Sequence, residues 1–256
     1  MLNVSQRPRY LRTDLHLHST FSDGRATVAQ LVERANGIGF VFAISDHYSS
    51  LMPMKDDAAL GRYLDELEKY PVYRAVEVDL GEQLPMSGEN RARLDYLIGS
   101  VHNVVTEEGE RLPISRQGEP EGGLDRYMDL YIAAVRRDVL AGTTVHMIGH
   151  PTFLPGLRSR GLHDELWTPA RRRSLLEAVV QSGVALEIST RYNVPTPVLM
   201  REALEAGVRF AVGSDSHWLD RAADISLPLR YVEEFKIPED RFFLPERVIE
   251  PPAVIV

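Results

Sequence analysis

Apolar residues rich in Val, Ile and Tyr cluster in seven short runs, at residues 10–18, 39–46, 72–78, 95–102, 144–150, 184–189 and 208–214. Each run is of strand rather than helix length, so seven strands are predicted. Helical periodicity fills the gaps. Val28, Leu31, Val32, Ala35 and Ile38 recur at helical spacing over 27–37, behind a possible capping box from Thr27 to Gln30. Thr168 before Pro169 reads as an N-cap with proline at the first helical position, Leu175, Leu176, Val179 and Val180 follow, and Gly183 can end the helix. Thr196, Pro197 and Gly207 repeat that arrangement, and residues 57–69 and 125–141 are further predicted helices. Alternating strands and helices predict a parallel sheet of βαβ units, either an open doubly wound sheet or a barrel.

Polar residues on these strands concentrate at their C-terminal ends. The first ends in Asp14-Leu15-His16-Leu17-His18, the second in Ser45-Asp46-His47, the third in Glu77-Val78-Asp79, the fourth in Ser100-Val101-His102 and the fifth in Gly149-His150-Pro151. The sixth carries Glu187, and the seventh closes with Asp215-Ser216-His217. Side chains alternate across a strand, so His16 shares a face with His18, and Asp215 with His217. Parallel strands bring all these ends to one mouth. Crowding so many carboxylates and imidazoles is costly without cations, and nine candidate ligands are too many for one ion. Two or three divalent ions are expected. Nitrogen and oxygen donors without sulfur suit Zn²⁺, Mn²⁺ or Fe²⁺.

Other polar residues carry weaker signals. Four residues at ~3.3 Å each place His146 about 13 Å below His150, a structural position. His163 is expected to be solvated in a polar loop. His47 is the expected ligand of the Asp46-His47 pair, with Asp46 or Asp14 fixing a ligand's tautomer. Asp79 either shares the Glu77 face or merely starts a loop. Asp23, on a Ser22-Asp23-Gly24 turn, is either a ligand or an Asx-turn residue.

Composition narrows the partners. The chain has 256 residues, ordinary globular proportions of 44% hydrophobic and 26% charged, no cysteine and a formal charge of −8. One domain over residues 1–256 is expected, with neither disulfides nor thiolate metal sites. No apolar run approaches bilayer length and the start lacks the apolar core of a signal peptide, so a cytoplasmic protein is expected. The negative charge disfavours long nucleic acid and favours a small ligand. The oligomeric state is not legible.

Asp14-Leu15-His16-Leu17-His18-Ser19-Thr20-Phe21-Ser22-Asp23-Gly24, Ile44-Ser45-Asp46-His47, Glu77-Val78-Asp79, Ile98-Gly99-Ser100-Val101-His102, Ile148-Gly149-His150-Pro151 and Gly213-Ser214-Asp215-Ser216-His217 together resemble the polymerase and histidinol phosphatase (PHP) family. The resemblance spans residues 13–217 and is nearest to the stand-alone histidinol-phosphate phosphatases of histidine biosynthesis. The 29 residues between His47 and Glu77 are few for that subgroup. What the resemblance implies is an α/β fold, a distorted (β/α)7 TIM-like barrel with its metal site at the C-terminal strand ends. It further implies one ion on His16, His18, Glu77 and Asp215, a second shared through Glu77 with His102 and His150, and a third on Asp23, His47 and His217.

Such a site would hydrolyse small phosphomonoesters with a metal-bridging hydroxide as nucleophile. Arg158, Arg160 and Arg191 follow strand ends on loops at that mouth. Arg160 and Arg191 are the expected phosphate contacts, a surface role being the alternative for each. No general acid stands out. The competing readings are a phosphodiesterase or exonuclease, as in PHP domains attached to polymerases, and a non-catalytic metal-binding domain. An amidohydrolase fits the Asp215 and His217 pattern poorly.

Overall fold

The computed structural model describes residues 3–82, 84–106, 111–112, 122–141, 145–154 and 161–252. Ten strands are assigned among them: β1 (Thr13–Asp14), β2 (Val41–Ile44), β3 (His47–Tyr48), β4 (Tyr73–Asp79), β5 (Tyr96–Ser100), β6 (Val104–Val105), β7 (Arg111–Leu112), β8 (Met147–Ile148), β9 (Ala185–Ser189) and β10 (Arg209–Gly213). The main sheet is parallel, in the order β1-β2-β4-β5-β8-β9-β10. Both β2 and β3 pair with β4, so they form one strand interrupted at Ser45 and Asp46. The ends nearly close into a barrel: Leu15 N donates to Val212 O at 2.9 Å and His18 N to Ser216 O at 3.0 Å. Strands β6 and β7 form a separate antiparallel hairpin.

The helices between strands are α1 (Val28–Ile38), α2 (Asp57–Leu67), α3 (Gly88–Arg93), α4 (Gly123–Leu140), α5 (His163–Leu166), α6 (Pro169–Ser182), α7 (Pro197–Glu205) and α8 (Ser226–Phe235). The three threonine N-caps and the Gly183 end of α6 are those the sequence predicts, and Gly39 is a further glycine end. Thr27, Thr168 and Thr196 each accept a backbone N–H in the first turn, and Gly39 and Gly183 end α1 and α6 in the left-handed region.

Strand periodicity builds the barrel interior in layers. Val41 and Ala43, Tyr73 and Ala75, Tyr96 and Ile98, Met147, Ala185 and Ala211 form one buried cluster with Leu15 and Phe243. Small alanines leave room for the large rings, as a narrow barrel requires. Buried hydroxyls find partners: Arg9 Nη2 donates to Tyr73 Oη at 2.9 Å, and Tyr96 Oη donates to Leu15 O. Continuing the same period upward replaces Ala75 by Glu77 and Asp79, Ile98 by Ser100, and Ala185 by Glu187. The apolar plug therefore ends where the polar mouth begins.

The first strand is much shorter than predicted, as is that over 144–150, of which Met147–Ile148 is paired. Residues 9–11 form a 3₁₀ turn, and beyond Asp14 the chain leaves regular pairing, with Ser45 Oγ accepting from Leu17 N at 3.0 Å. A side-chain hydroxyl thus replaces a ladder carbonyl. Phe243, beyond the last strand, closes the base of the barrel: its N donates to Phe210 O, and its ring meets Tyr96.

Candidate metal centre

Four loops and strand ends meet around Glu77, which is 1% exposed. Its Oε1 lies 3.0 Å from His150 Nε2 and 3.4 Å from His102 Nε2. Its Oε2 lies 3.0 Å from His47 Nδ1, 3.3 Å from His16 Nε2 and 3.4 Å from His18 Nε2. The carboxylate therefore faces two sets of imidazoles at once. Asp215 Oδ1 stands 3.2 Å from His18 Nε2 and 3.8 Å from His16 Nε2. Asp23 completes the rim, its Oδ2 3.1 Å from His217 Nε2 and its Oδ1 3.6 Å from His47 Nε2.

The nine residues expected from the sequence are thus gathered at one mouth. Their grouping is less partitioned than the resemblance implies. Ligand atoms of His18, Asp23, His47 and His217 lie within 4.8 Å of one another, as do those of His16, His18 and Glu77, and those of His47, Glu77 and His102. His18 and His47 each belong to two sets.

Carboxylates set the imidazoles' orientation. Glu187 Oε1 accepts from His16 Nδ1 at 2.9 Å, and because an ionised carboxylate only accepts, His16 keeps its Nε2 lone pair for the pocket. Glu187 Oε2 also accepts the His150 backbone N–H. Asp79 Oδ1 accepts from His102 Nδ1 at 2.5 Å and turns His102 Nε2 toward Glu77. The expected tautomer partners, Asp46 and Asp14, do something else. Asp46 takes the N–H and hydroxyl of both Ser19 and Ser22, fixing the turn before Asp23. Asp14 takes the amides of His16, Ser214 and Ala223, tying β1 to the loop after β10.

Backbone geometry matches this crowding. His150 and Asp215 both adopt positive φ, 29° and 50°, a conformation that surrounding contacts must enforce for residues other than glycine. Gly213 has a steric role: a Cβ there would collide with Glu187 Oε1 and with His16 Cβ. Glycine is what lets Glu187 reach His16.

Electrostatics prepares the donors. Burial, with the neighbouring His47, pushes His18 down to about 3, leaving a neutral ring. Burial lowers His47 too. For Glu77, burial opposes ionisation, but His16, His47, His102 and His150 hold its carboxyl well below the usual range. Asp215 and Asp23 are lowered likewise by facing imidazoles, against the effect of burial. His102 is raised to about 9 although burial works the other way, because Glu77 and Asp79 face it. His16 is raised by Glu187, Glu77 and Asp215, again against burial. Cation binding would discharge those protons.

Metal ions fit this donor set. Glu77 Oε2 is buried and accepts no hydrogen bond, although three imidazole nitrogens surround it. His18 Nε2 and His16 Nε2 also face each other at 3.2 Å. So many nitrogen and oxygen donors converging in a buried space, held by protons only at His16 and His102, are what a cation resolves.

Arg191 occupies the wall. Its Nη1 donates to Asp215 O at 2.9 Å and lies 3.4 Å from Asp215 Oδ1, and its guanidinium sits over the Tyr192 and Trp218 rings at 5.1 and 5.4 Å. Arg158 and Arg160 lie outside the described residues. His163 is not solvated: it is 5% exposed, and its Nε2 donates to Thr152 O at 2.9 Å, beside Trp167 Nε1 at 3.0 Å. Those two donors hold the turn that follows His150. His146 stays at the strand base, taking the Leu97 amide at 3.2 Å. The sequence reading missed Tyr192, which lines the pocket and stacks on Phe153, and no periodic signal marks it. Glu187 was visible as a strand-end carboxylate two residues after Ala185, without an assigned task.

A barrel that ends in such a pocket defines a metal-dependent hydrolase. The chain belongs to the PHP family, the PHP domain matching residues 14–191. It is 24% identical over 233 residues to "DNA polymerase/3'-5' exonuclease PolX" of Bacillus subtilis, covering 84% of this chain but 36% of that protein, so it spans about a third of this relative. It is 23% identical over 214 residues to the uncharacterized protein MJ1295 of Methanocaldococcus jannaschii, covering 81% of this chain and 82% of that one. A solved structure from Listeria monocytogenes, a protein provisionally designated the histidinol phosphatase HisK, superposes with a TM-score of 0.62 at 19% identity, over 82% of this chain and 96% of the other. That likeness establishes the TIM-like fold. Among the described residues no helix is long and apolar enough to cross a membrane.

Glu187→Gln tests the orienting carboxylate. Loss of such a partner is expected to weaken binding of the ion held by His16 by about 10- to 100-fold. Competition with a chelator of known affinity reads this directly. Unchanged affinity would show that Glu187 only supports the His150 amide.

Proposed function

We propose that the protein hydrolyses small phosphomonoesters, as the histidinol-phosphatase branch of its family does. The observation that carries this reading is the pocket itself, a cavity of about 240 Å³ lined by His47, Glu77, His102, Asp215 and His217 with Arg191 in its wall. That volume seats a phosphoryl group together with part of a small leaving group. A guanidinium beside it matches a doubly charged phosphoryl group.

His16, His18, Glu77 and Asp215, Glu77 with His102 and His150, and Asp23, His47 and His217 would hold two or three divalent ions of Zn, Mn or Fe type. Bound ions would supply Lewis acidity and a water activated at neutral pH. The chain's own residues do the rest. Glu187 and Asp79 keep His16 and His102 in one orientation, Asp46 locks the turn carrying Asp23, and Arg191 offers N–H groups to non-reacting phosphate oxygens. Arg160 joins it as a proposed phosphate contact. Small phosphorylated molecules are therefore the proposed partners.

The second reading, a phosphodiesterase or exonuclease, is favoured by the similarity to PolX. A substrate panel separates the two. With Mn²⁺ or Zn²⁺ supplied, histidinol phosphate and nucleoside monophosphates should be cleaved with kcat/KM at least about tenfold above a phosphodiester or an oligonucleotide, because a diester brings one charge fewer and a second substituent to seat. Faster cleavage of the diester or oligonucleotide would replace the proposal with the nuclease reading.

A further inference from the structure

His217 is fully engaged in two directions. Its Nε2 gives a proton to Asp23 Oδ2 at 3.1 Å, so the lone pair of the neutral ring is on Nδ1. Arg191 Nη1 contacts that Nδ1, while lying 3.2 Å from Nε2 and donating to Asp215 O at 2.9 Å. The guanidinium also lies over the Tyr192 and Trp218 rings. A fixed positive charge therefore borders the set formed by His18, Asp23, His47 and His217.

We infer that Arg191 opposes cation binding at this set, and that an anion which draws Arg191 away from His217 strengthens cation binding there. The argument holds whichever ring nitrogen a cation takes. A cation on Nδ1 takes the lone pair that Arg191 now uses. A cation on Nε2 displaces the proton shared with Asp23 and leaves the neutral ring protonated on Nδ1, so that N–H points at N–H. Nδ1 then has an alternative acceptor, Asp215 O at 3.2 Å, the same carbonyl that Arg191 occupies. Either way Arg191 loses its contact with His217, and in the second case it also shares the Asp215 carbonyl with Nδ1–H. Still beside the Tyr192 and Trp218 rings, the freed guanidinium lines the cavity, where a phosphate can accept from it. Cation and anion then help each other, and by linkage the effect is mutual. The inference rests on the cation-binding part of the proposed function and not on turnover.

The test is a binding measurement on the full chain stripped of metal. Mn²⁺ is titrated by calorimetry, with bound ion counted after dialysis at fixed free Mn²⁺, with and without inorganic phosphate. In the wild type one equivalent is expected to bind more weakly than the others and to tighten with phosphate. Asp23→Asn should remove that equivalent and so identify it. Arg191→Met and Arg191→Gln, two neutral replacements, should tighten it about tenfold or more without phosphate, since a neighbouring positive charge is gone. The extra tightening brought by phosphate should shrink by a similar factor in both. Retention of the tighter equivalents shows that each variant is folded. Failure of both variants to gain affinity for the Asp23-dependent equivalent overturns the inference, as does a phosphate effect equal to that of the wild type. Absence of phosphatase turnover would sink the proposed substrate class and leave these outcomes unaltered.

Discussion

Glu77→Gln is expected to reduce kcat/KM on the preferred monoester by on the order of 10³-fold, the upper end of what one preorganised electrostatic contact supplies in a water-excluded site. The size follows from position. Both carboxylate oxygens are buried and together they face five imidazoles, at 3.0–3.4 Å. Glutamine keeps the shape, removes the charge and turns two N–H donors toward nitrogens whose lone pairs are needed for cations. Two sets of donors lose their common anion at once. Asp23→Asn, by contrast, alters one set from a rim position that is 41% exposed, and should cost less. Metal content by elemental analysis, alongside steady-state kinetics, checks both halves of the expectation. Bound metal should fall further in the Glu77 variant. Equal losses of activity for the two variants at matched metal content would contradict a shared role for Glu77.

Much of this site was legible because strand period two needs no tertiary information. Alternation from Tyr73 through Ala75 to Glu77 and Asp79 puts apolar layers and carboxylates on the same face, and the structure keeps that register. Local cap chemistry was equally readable at Thr27, Thr168 and Thr196. What escaped depends on chain segments remote in sequence. His163 looked solvated among polar neighbours, yet its partner is the carbonyl of Thr152, presented by a left-handed residue. Asp46 and Asp14 looked like tautomer partners by proximity in sequence, but in space Asp46 meets the hydroxyls and amides of Ser19 and Ser22, and Asp14 meets the amides of His16, Ser214 and Ala223. The task passed to Glu187, which lies 171 residues from His16 and reaches it only because Gly213 lacks a side chain. Phe243 returns under the barrel because Phe210 offers it a carbonyl. No periodicity within either segment encodes such a meeting.

Arg191→Ala is expected to lower kcat/KM for phosphomonoesters by roughly 10- to 150-fold at saturating metal, the equivalent of about 1.5–3 kcal/mol for one charge-assisted hydrogen bond. Saturation matters, because the same residue borders His217 and its removal also changes metal affinity. The guanidinium already lies in the wall of the cavity, 28% exposed and over the Tyr192 and Trp218 rings, so little ordering cost accompanies its use. A monoester dianion gains more from that contact than a diester monoanion does, which makes the loss selective: diester turnover should fall by a smaller factor. Arg191→Lys should recover part of the loss only, since an ammonium keeps the charge but not the planar fork. Kinetics of the three proteins on a matched monoester and diester decide the matter. If monoester turnover is unchanged in Arg191→Ala, or both substrates suffer equally, Arg191 does not bind the phosphate, and the case for a monoesterase loses the contact that distinguishes it from a nuclease.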